Sequence, residues 1–130
     1  MNIGEAASLS GVSAKMIRHY EQLGLLPAAR RSEGGYRQYD EAGVHALRFV
    51  RRARDLGFSI AEIRALLGLW RNRRRASADV KRIAVRHVQD LQQRIDEMQA
   101  MQRSLQALVH GCEGSTRPEC PILDDLARPG

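Results

Sequence analysis

The stretch ADVKRIAVRHVQDLQQRIDEMQAMQRSLQALV, Ala78 to Val109, decides how the rest of the chain is read. Apolar residues fall at Ala84, Val88, Leu91, Ile95, Met98, Leu105 and Val109 in alternating steps of four and three, with Gln102 as the single polar break, and no Gly or Pro interrupts the run. Such spacing is a heptad a/d seam, narrower than the stripe of a helix lying on its own domain, and it suits a partner helix. At 1.5 Å per residue the helix would span roughly 48 Å, longer than a small domain is wide. A lone helix of that length cannot bury its seam, so the sequence predicts a dimerisation strut, covered by a second copy of the chain. Ser77 precedes it as the expected N-cap, with Asp79 favourably placed in the first turn.

The charge is uneven on either side of the strut's start. Met1 to Arg75 carries 14 Lys and Arg against 7 Asp and Glu, whereas Ala76 to Gly130 carries 7 against 8, so the net +6 of the 130 residues resides in the first part. A basic head joined to a near-neutral dimerisation segment points to a polyanion, most simply double-stranded DNA. No apolar run approaches the roughly eighteen residues that a membrane helix needs, and the first residues lack the apolar core of a signal peptide. A cytoplasmic protein without a membrane partner is the expectation. Two cysteines in a reducing compartment then suggest a site more than a structural disulfide.

The head reads as a helix-turn-helix. Ile3, Ala6, Ala7 and Leu9 have helical spacing, Ser10-Gly11-Val12 breaks it, and Ser13 is a good N-cap for a second helix running to about Leu23. Small Ala7, turn Gly11 and apolar Val12, Ile17 and Tyr20 recur as that motif requires. The second helix enters the major groove N-terminus first, which puts Lys15, Arg18 and His19 near bases or phosphates. After Gly24-Leu25-Leu26-Pro27, a turn at Gly34-Gly35 between Arg31 and Tyr36-Arg37-Gln38-Tyr39 predicts a basic β-hairpin, the wing of a winged-helix domain. Asp40 caps a third helix stopped by Gly57, and Ser59-Ile60-Ala61-Glu62 is a capping box opening a fourth. Arg51, Arg52 and Arg54 lie on the third helix as a solvated face, Arg54 close enough to the following turn for a second backbone contact. The run Arg71-Asn-Arg-Arg-Arg75 reads as a solvated linker.

The remaining residues hold both thiols, in Cys112-Glu-Gly-Ser-Thr-Arg-Pro-Glu-Cys120, with Pro121-Ile122-Leu123 opening a short terminal helix. Thiolates select soft ions, and zinc ordinarily takes four ligands, or three with an open position in an enzyme. This loop offers two sulfurs. A d¹⁰ monovalent ion accepts two opposed thiolates with no further ligand. Seven intervening residues that include Gly114 and Pro118 are enough to fold back and oppose them, with Arg117 available to offset the negative charge and His110 as an additional nitrogen. A disulfide or a redox sensor built on the same thiols remains open. An enzyme has little support: there is no Cys-x-x-Cys, no nucleophile–base pairing and no glycine-rich phosphate cradle.

Five motifs in order, Ile3-Gly-Glu-Ala-Ala, Met16-Ile-Arg-His-Tyr-Glu21, Gly24-Leu-Leu26, Gly35-Tyr-Arg-Gln-Tyr39 and Arg54-Asp-Leu-Gly-Phe58, with the long helix after them, resemble the MerR family of transcription regulators over nearly the whole chain. The segments Ala76-Ser-Ala-Asp-Val-Lys81 and Cys112-x7-Cys120-Pro-Ile-Leu are similar to its copper-efflux regulator (CueR-like) branch. The resemblance implies a mainly α fold with a winged helix-turn-helix head over residues 1–75, a long antiparallel coiled-coil dimerisation helix over 76–110, and a metal-binding loop with a short terminal helix over 111–130. It implies a homodimer on promoter DNA, sharing that promoter with RNA polymerase and distorting its spacer once metal is bound. By motif match, Lys15, Arg18, His19 and Tyr20 on the second helix and Arg31, Tyr36 and Arg37 on the wing are the DNA contacts, His19 standing where an aromatic Tyr or Phe is usual. Cys112 and Cys120 are the implied ligands of Cu(I), with Ag(I) and Au(I) as further candidates. Ser77 stands where divalent-ion sensors of the family carry a partner-supplied cysteine, so it is the implied selectivity residue: without a third thiolate a divalent ion is under-coordinated. The alternatives are a redox or divalent-metal sensor using the same cysteines, and a metal-independent architectural DNA-binding dimer.

Overall fold

The computed structural model describes residues 1–26 and 30–130, the side chains of Arg30 and Arg37 excepted. Among the described residues the chain is mainly helical and falls into two compact units, Met1–Ala84 and Val85–Gly130. That division lies inside the long helix, some residues beyond the boundary at 75/76 expected from the sequence.

In the first unit, α1 (Ile3–Ser10) and α2 (Ala14–Gln22) make the helix-turn-helix, followed by the ribbon β1 (Arg30–Arg31) and β2 (Arg37–Gln38), then α3 (Glu41–Asp55) and α4 (Ile60–Arg71). Local chemistry sets each boundary. Gly11 ends α1 in the left-handed region at φ 74°, a conformation glycine adopts without steric cost, while its N–H donates to Ala7 O. Ser13 accepts from the Met16 N–H, and Asp40 accepts from the Gly43 N–H. Ser59 and Glu62 form a reciprocal capping box at the start of α4. The ribbon is antiparallel, pairing Arg30 with Gln38 and Arg31 with Arg37 across a turn in which Gly35 has φ 81°.

The core gathers Val12 and Ile17 with Leu25, Leu47, Val50, Ile63 and Leu67. The small residue fully buried on α1 is Ala6; Ala7, which the sequence assigned to that close approach, is only half-buried against the same core. Two long-range contacts tie the motif down. Arg48 of α3 donates through Nε and Nη2 to Leu9 O at 3.1 and 2.8 Å, and Arg64 of α4 donates to Leu23 O. Each guanidinium meets the carbonyl end of a helix, where a cation is favoured by the helix dipole. Tyr39 Oη donates to Glu21 Oε1 at 2.5 Å, tying the far side of the ribbon to α2.

The strut is α5 (Ser77–Gly111), 35 residues long, followed after a loop by α6 (Pro121–Leu126). Ser77 is its first helical residue, not the cap outside it; the first turn is closed by the Asp79 N–H on Ala76 O at 3.1 Å. Acidic Asp79 does sit in that turn, bridged to Arg82. The heptad seam is bare in the single chain: Val88, Ile95, Met98, Leu105 and Val109 are all exposed, from 47% at Ile95 to 64% at Met98.

Candidate functional site

Two sites were expected, a nucleic-acid face on the first unit and a thiol pair in the second. On the head, the register of α2 sorts its side chains. Ile17 and Tyr20 turn inward; Lys15, Arg18 and His19 are exposed. Tyr20 is therefore a correction to the expected contacts. At 6% exposure it belongs to the core, because it lies one turn from Ile17 on the apolar stripe, and little of it is left for DNA.

Arg18 comes together with the wing. A concave surface of about 350 Å³ is lined by Asn2, Ile3, Arg18, Arg31, Gly35 and Tyr36. The wing side of it is rigidly built: Ser32 N–H donates to Tyr36 O at 2.7 Å, Tyr36 N–H to Ser32 Oγ at 3.2 Å, and Arg31 Nη1 to Gly35 O at 2.9 Å. That last bond engages one nitrogen of the guanidinium, and the Tyr36 ring, 75% exposed, lines the same surface. The side chain of Arg37 lies outside the described residues. Arg54 is exposed in the last turn of α3, where Gly57 N–H donates to its carbonyl.

The thiol pair closes the second unit. Cys112 directly follows the end of α5, its N–H on Val109 O, and Cys120 holds the N-cap position of α6. The loop between them folds back: a Cβ on Gly111 would meet the Pro121 ring at 3.7 Å. Both cysteines are free and half-buried. The Cys120 thiol is lowered from its ordinary value, first by the Leu123 backbone N–H and then by the Ile122 N–H and the Cys112 thiol beside it; burial and the Asp124 carboxylate act in the opposite direction. The two N–H groups act without forming a full capping bond. Arg117 is exposed in the same loop, its N–H on Ser115 Oγ. His110 and Cys112 share an open apolar groove of about 970 Å³ with Met98, Met101, Leu105 and Val109. Among the described residues no three His, Cys, Asp or Glu side chains gather into a metal-holding group, so His110 does not join both sulfurs. Ser77 stands at the start of α5, in the first unit.

A lowered pKa means more thiolate below the usual thiol range. Cys120 should accordingly alkylate faster with iodoacetamide at pH 7 in the folded chain than in the same chain in urea, read by peptide mass spectrometry. Equal rates would mean that the N–H groups of α6 do not favour the thiolate.

The sequence left two features unseen. Arg48 and Arg64 make contacts 39 and 41 residues away along the chain, for which no local pattern exists. The groove beside Cys112 includes Met101, which lies off the a/d seam.

Two family profiles match the chain: MerR HTH family regulatory protein over residues 1–69, and MerR, DNA binding over residues 44–108. A protein of Rhizobium meliloti (strain 1021) named heavy metal-dependent transcription regulator 2 is 55% identical over 98% of this chain and 86% of its own length. The HTH-type transcriptional regulator CueR of Escherichia coli O6:H1 is 39% identical over 98% of this chain and 94% of its own. Among solved structures, the transcription regulator PbrR691 from Ralstonia metallidurans CH34, in complex with lead(II), superposes with a TM-score of 0.85 at 35% identity, covering 98% of this chain and 99% of that one.

Proposed function

This chain belongs to the MerR family of DNA-binding transcription regulators, which are not enzymes, and from that premise we propose that it is a metal-responsive regulator of promoter DNA. It binds as a homodimer through its strut helices. It answers a monovalent coinage-metal ion, Cu(I) first, with Ag(I) and Au(I) as competitors, by distorting the promoter spacer so that RNA polymerase engages both promoter elements. The genes it controls are metal-efflux genes. Spacer distortion is indirect readout used as a switch, acting through DNA shape instead of a recruiting contact. The bare seam of α5 supports the homodimer, because exposed Val88, Ile95, Met98, Leu105 and Val109 on one helix make an apolar face that a second copy would cover.

The observation that carries the metal reading is the pairing of Cys112 with Cys120 with no third donor gathered beside them among the described residues. That donor set fits a soft ion of low coordination number and falls short of the four ligands of a structural zinc site. Cys112 and Cys120 would hold the ion, which supplies two metal–thiolate bonds closing the loop. The Leu123 and Ile122 N–H groups favour the Cys120 thiolate that such an ion needs. Relatives named as heavy metal-dependent regulators agree with a metal inducer; the neighbour that holds lead(II) makes a divalent arm of the test obligatory.

The test is an anaerobic titration of the reduced protein with Cu(I) against a competing chelator, with Zn(II) and Pb(II) in parallel. One Cu(I) per protomer, held more tightly than either divalent ion, is expected. Preference for Zn(II) or Pb(II) would sink the coinage-metal assignment and leave the DNA-reading head untouched.

A further inference from the structure

The arginines of α3 do more than solvate a face. A second cleft, of about 430 Å³, lies between the end of α1 and the later turns of α3, lined by Ser8 and Gly11 on one side and Arg48, Arg51, Arg52 and Asp55 on the other. One of its three cations is fixed in place. Arg48 is held by Leu9 O through both Nε and Nη2, so its charge is committed to the carbonyl end of α1. Arg51 reaches the turn with its tip: a Cβ built on Gly11 would stand 1.8 Å from its Nη1 and 3.0 Å from its Cζ, so the guanidinium occupies space that glycine leaves free. Arg52 is exposed beside it, and Asp55 is the one carboxylate at the cleft. With Arg48 spent on the helix end, Arg51 and Arg52 outweigh Asp55.

The position of this cleft gives it a partner. The cleft of Arg18, Arg31 and Tyr36 contains Asn2 and Ile3, at the start of α1; the arginine cleft contains Ser8 and Gly11, at its end. The two are thus separated by the length of α1, about 12 Å at 1.5 Å per residue. The major groove of B-DNA is roughly 12 Å wide between its phosphate rims. Gly11 also lies two residues before Ser13, the cap of α2, at the end of a recognition helix that enters the groove foremost. We propose that Arg51 and Arg52 seat a backbone phosphodiester of the operator on the rim opposite the one the wing holds. A guanidinium matches the oxygens of a phosphate with paired N–H donors, and two of them at one cleft supply the charge for it. The inference rests on the DNA-binding reading and adds a contact that the motif match does not contain.

The test uses the full chain and a duplex recovered by in vitro selection against it, with bulk genomic DNA as the non-specific competitor. Affinity is measured against salt for the native chain, Arg51→Gln, Arg52→Gln and Arg18→Ala. Loss of one phosphate contact per protomer lowers the slope of log K against log salt by about 0.9 each, or about 1.8 for a dimer. Arg51→Gln is expected to show that reduction, to bind selected and bulk DNA more weakly by the same factor, and to leave base preference unchanged. A duplex scanned with neutral methylphosphonates provides the second measurement, independent of whether Arg51→Gln folds well. One linkage per half-site should weaken the native chain and leave Arg51→Gln indifferent. If Arg18→Ala loses binding while Arg51→Gln and Arg52→Gln keep the full slope and no such linkage is found, the phosphate seat is overturned and the DNA reading stands. If selection against the native chain recovers no duplex that it binds above bulk DNA, the DNA reading fails with it. Normal slopes with lost transcription would assign the cleft to an acidic protein partner and overturn the proposal.

Discussion

In the Cys112→Ser variant, Cu(I) affinity falls by well over the roughly 10–100-fold that the loss of an outer-shell partner of a metal site costs, while binding of metal-free protein to promoter DNA is unchanged. The reason lies in the donor set. Cys112 and Cys120 are adjacent, and among the described residues no third ligand is assembled with them, so removing one sulfur leaves a single thiolate with no substitute. Serine is close to cysteine in size, and Cys112 is half-buried after the end of α5, so the fold should tolerate the change. The measurement is competition against a Cu(I) chelator, with a gel-shift assay on the same preparations. A variant within tenfold of the native affinity would show that the thiol pair is not the site. Proton competition adds a direction: metal binding requires thiolates and weakens as pH falls. Because the Cys120 thiol is lowered, its own protonation begins to compete only once pH falls through that lowered value.

The second large effect is on the head. Ile17→Ala should destabilise the first unit by roughly 2–5 kcal/mol, the usual cost of truncating a fully buried aliphatic side chain, and DNA binding should fall with the folded population. Ile17 is 0% exposed and stands on α2 between outward-facing Lys15 and Arg18, so the residue that anchors the recognition helix is also the one that fixes its register. Ile17→Val should cost only about 0.5–1.5 kcal/mol. Urea denaturation at fixed protomer concentration checks both, because coupling to dimerisation makes the midpoint depend on concentration. Equal stability of Ile17→Ala and the native chain would show that α2 is not held by this core.

What could be read in the sequence was what is local. Ser13, Asp40 and the Ser59–Glu62 pair each act over three residues, and each cap forms as expected. The heptad seam and the two-cysteine loop were equally plain, because period and spacing are one-dimensional properties. Tyr20 marks where this reading fails: a phenol suits both a core position and a phosphate contact, and only the phase of α2 against α3 and α4 decides between them. Ser77 fell one position inside the helix, a shift that sequence patterns do not resolve. The arginine cleft needed three dimensions, since it depends on Arg51 crossing Gly11, far away along the chain. In sequence, Arg48, Arg51 and Arg52 differ in no way from an ordinary solvated row.

The two arginine clasps, Arg48 on Leu9 O and Arg64 on Leu23 O, have a consequence for modularity. Each helix of the reading motif is gripped at its carbonyl end by a helix that follows it in the chain, and Leu47, Val50, Ile63 and Leu67 of those same helices complete the core beneath it. The helix-turn-helix of this chain is therefore not a portable cassette. A fragment ending before α3, or its grafting onto an unrelated scaffold, would deliver the recognition side chains without the frame that aims them; the smallest transplantable reader is the four-helix head.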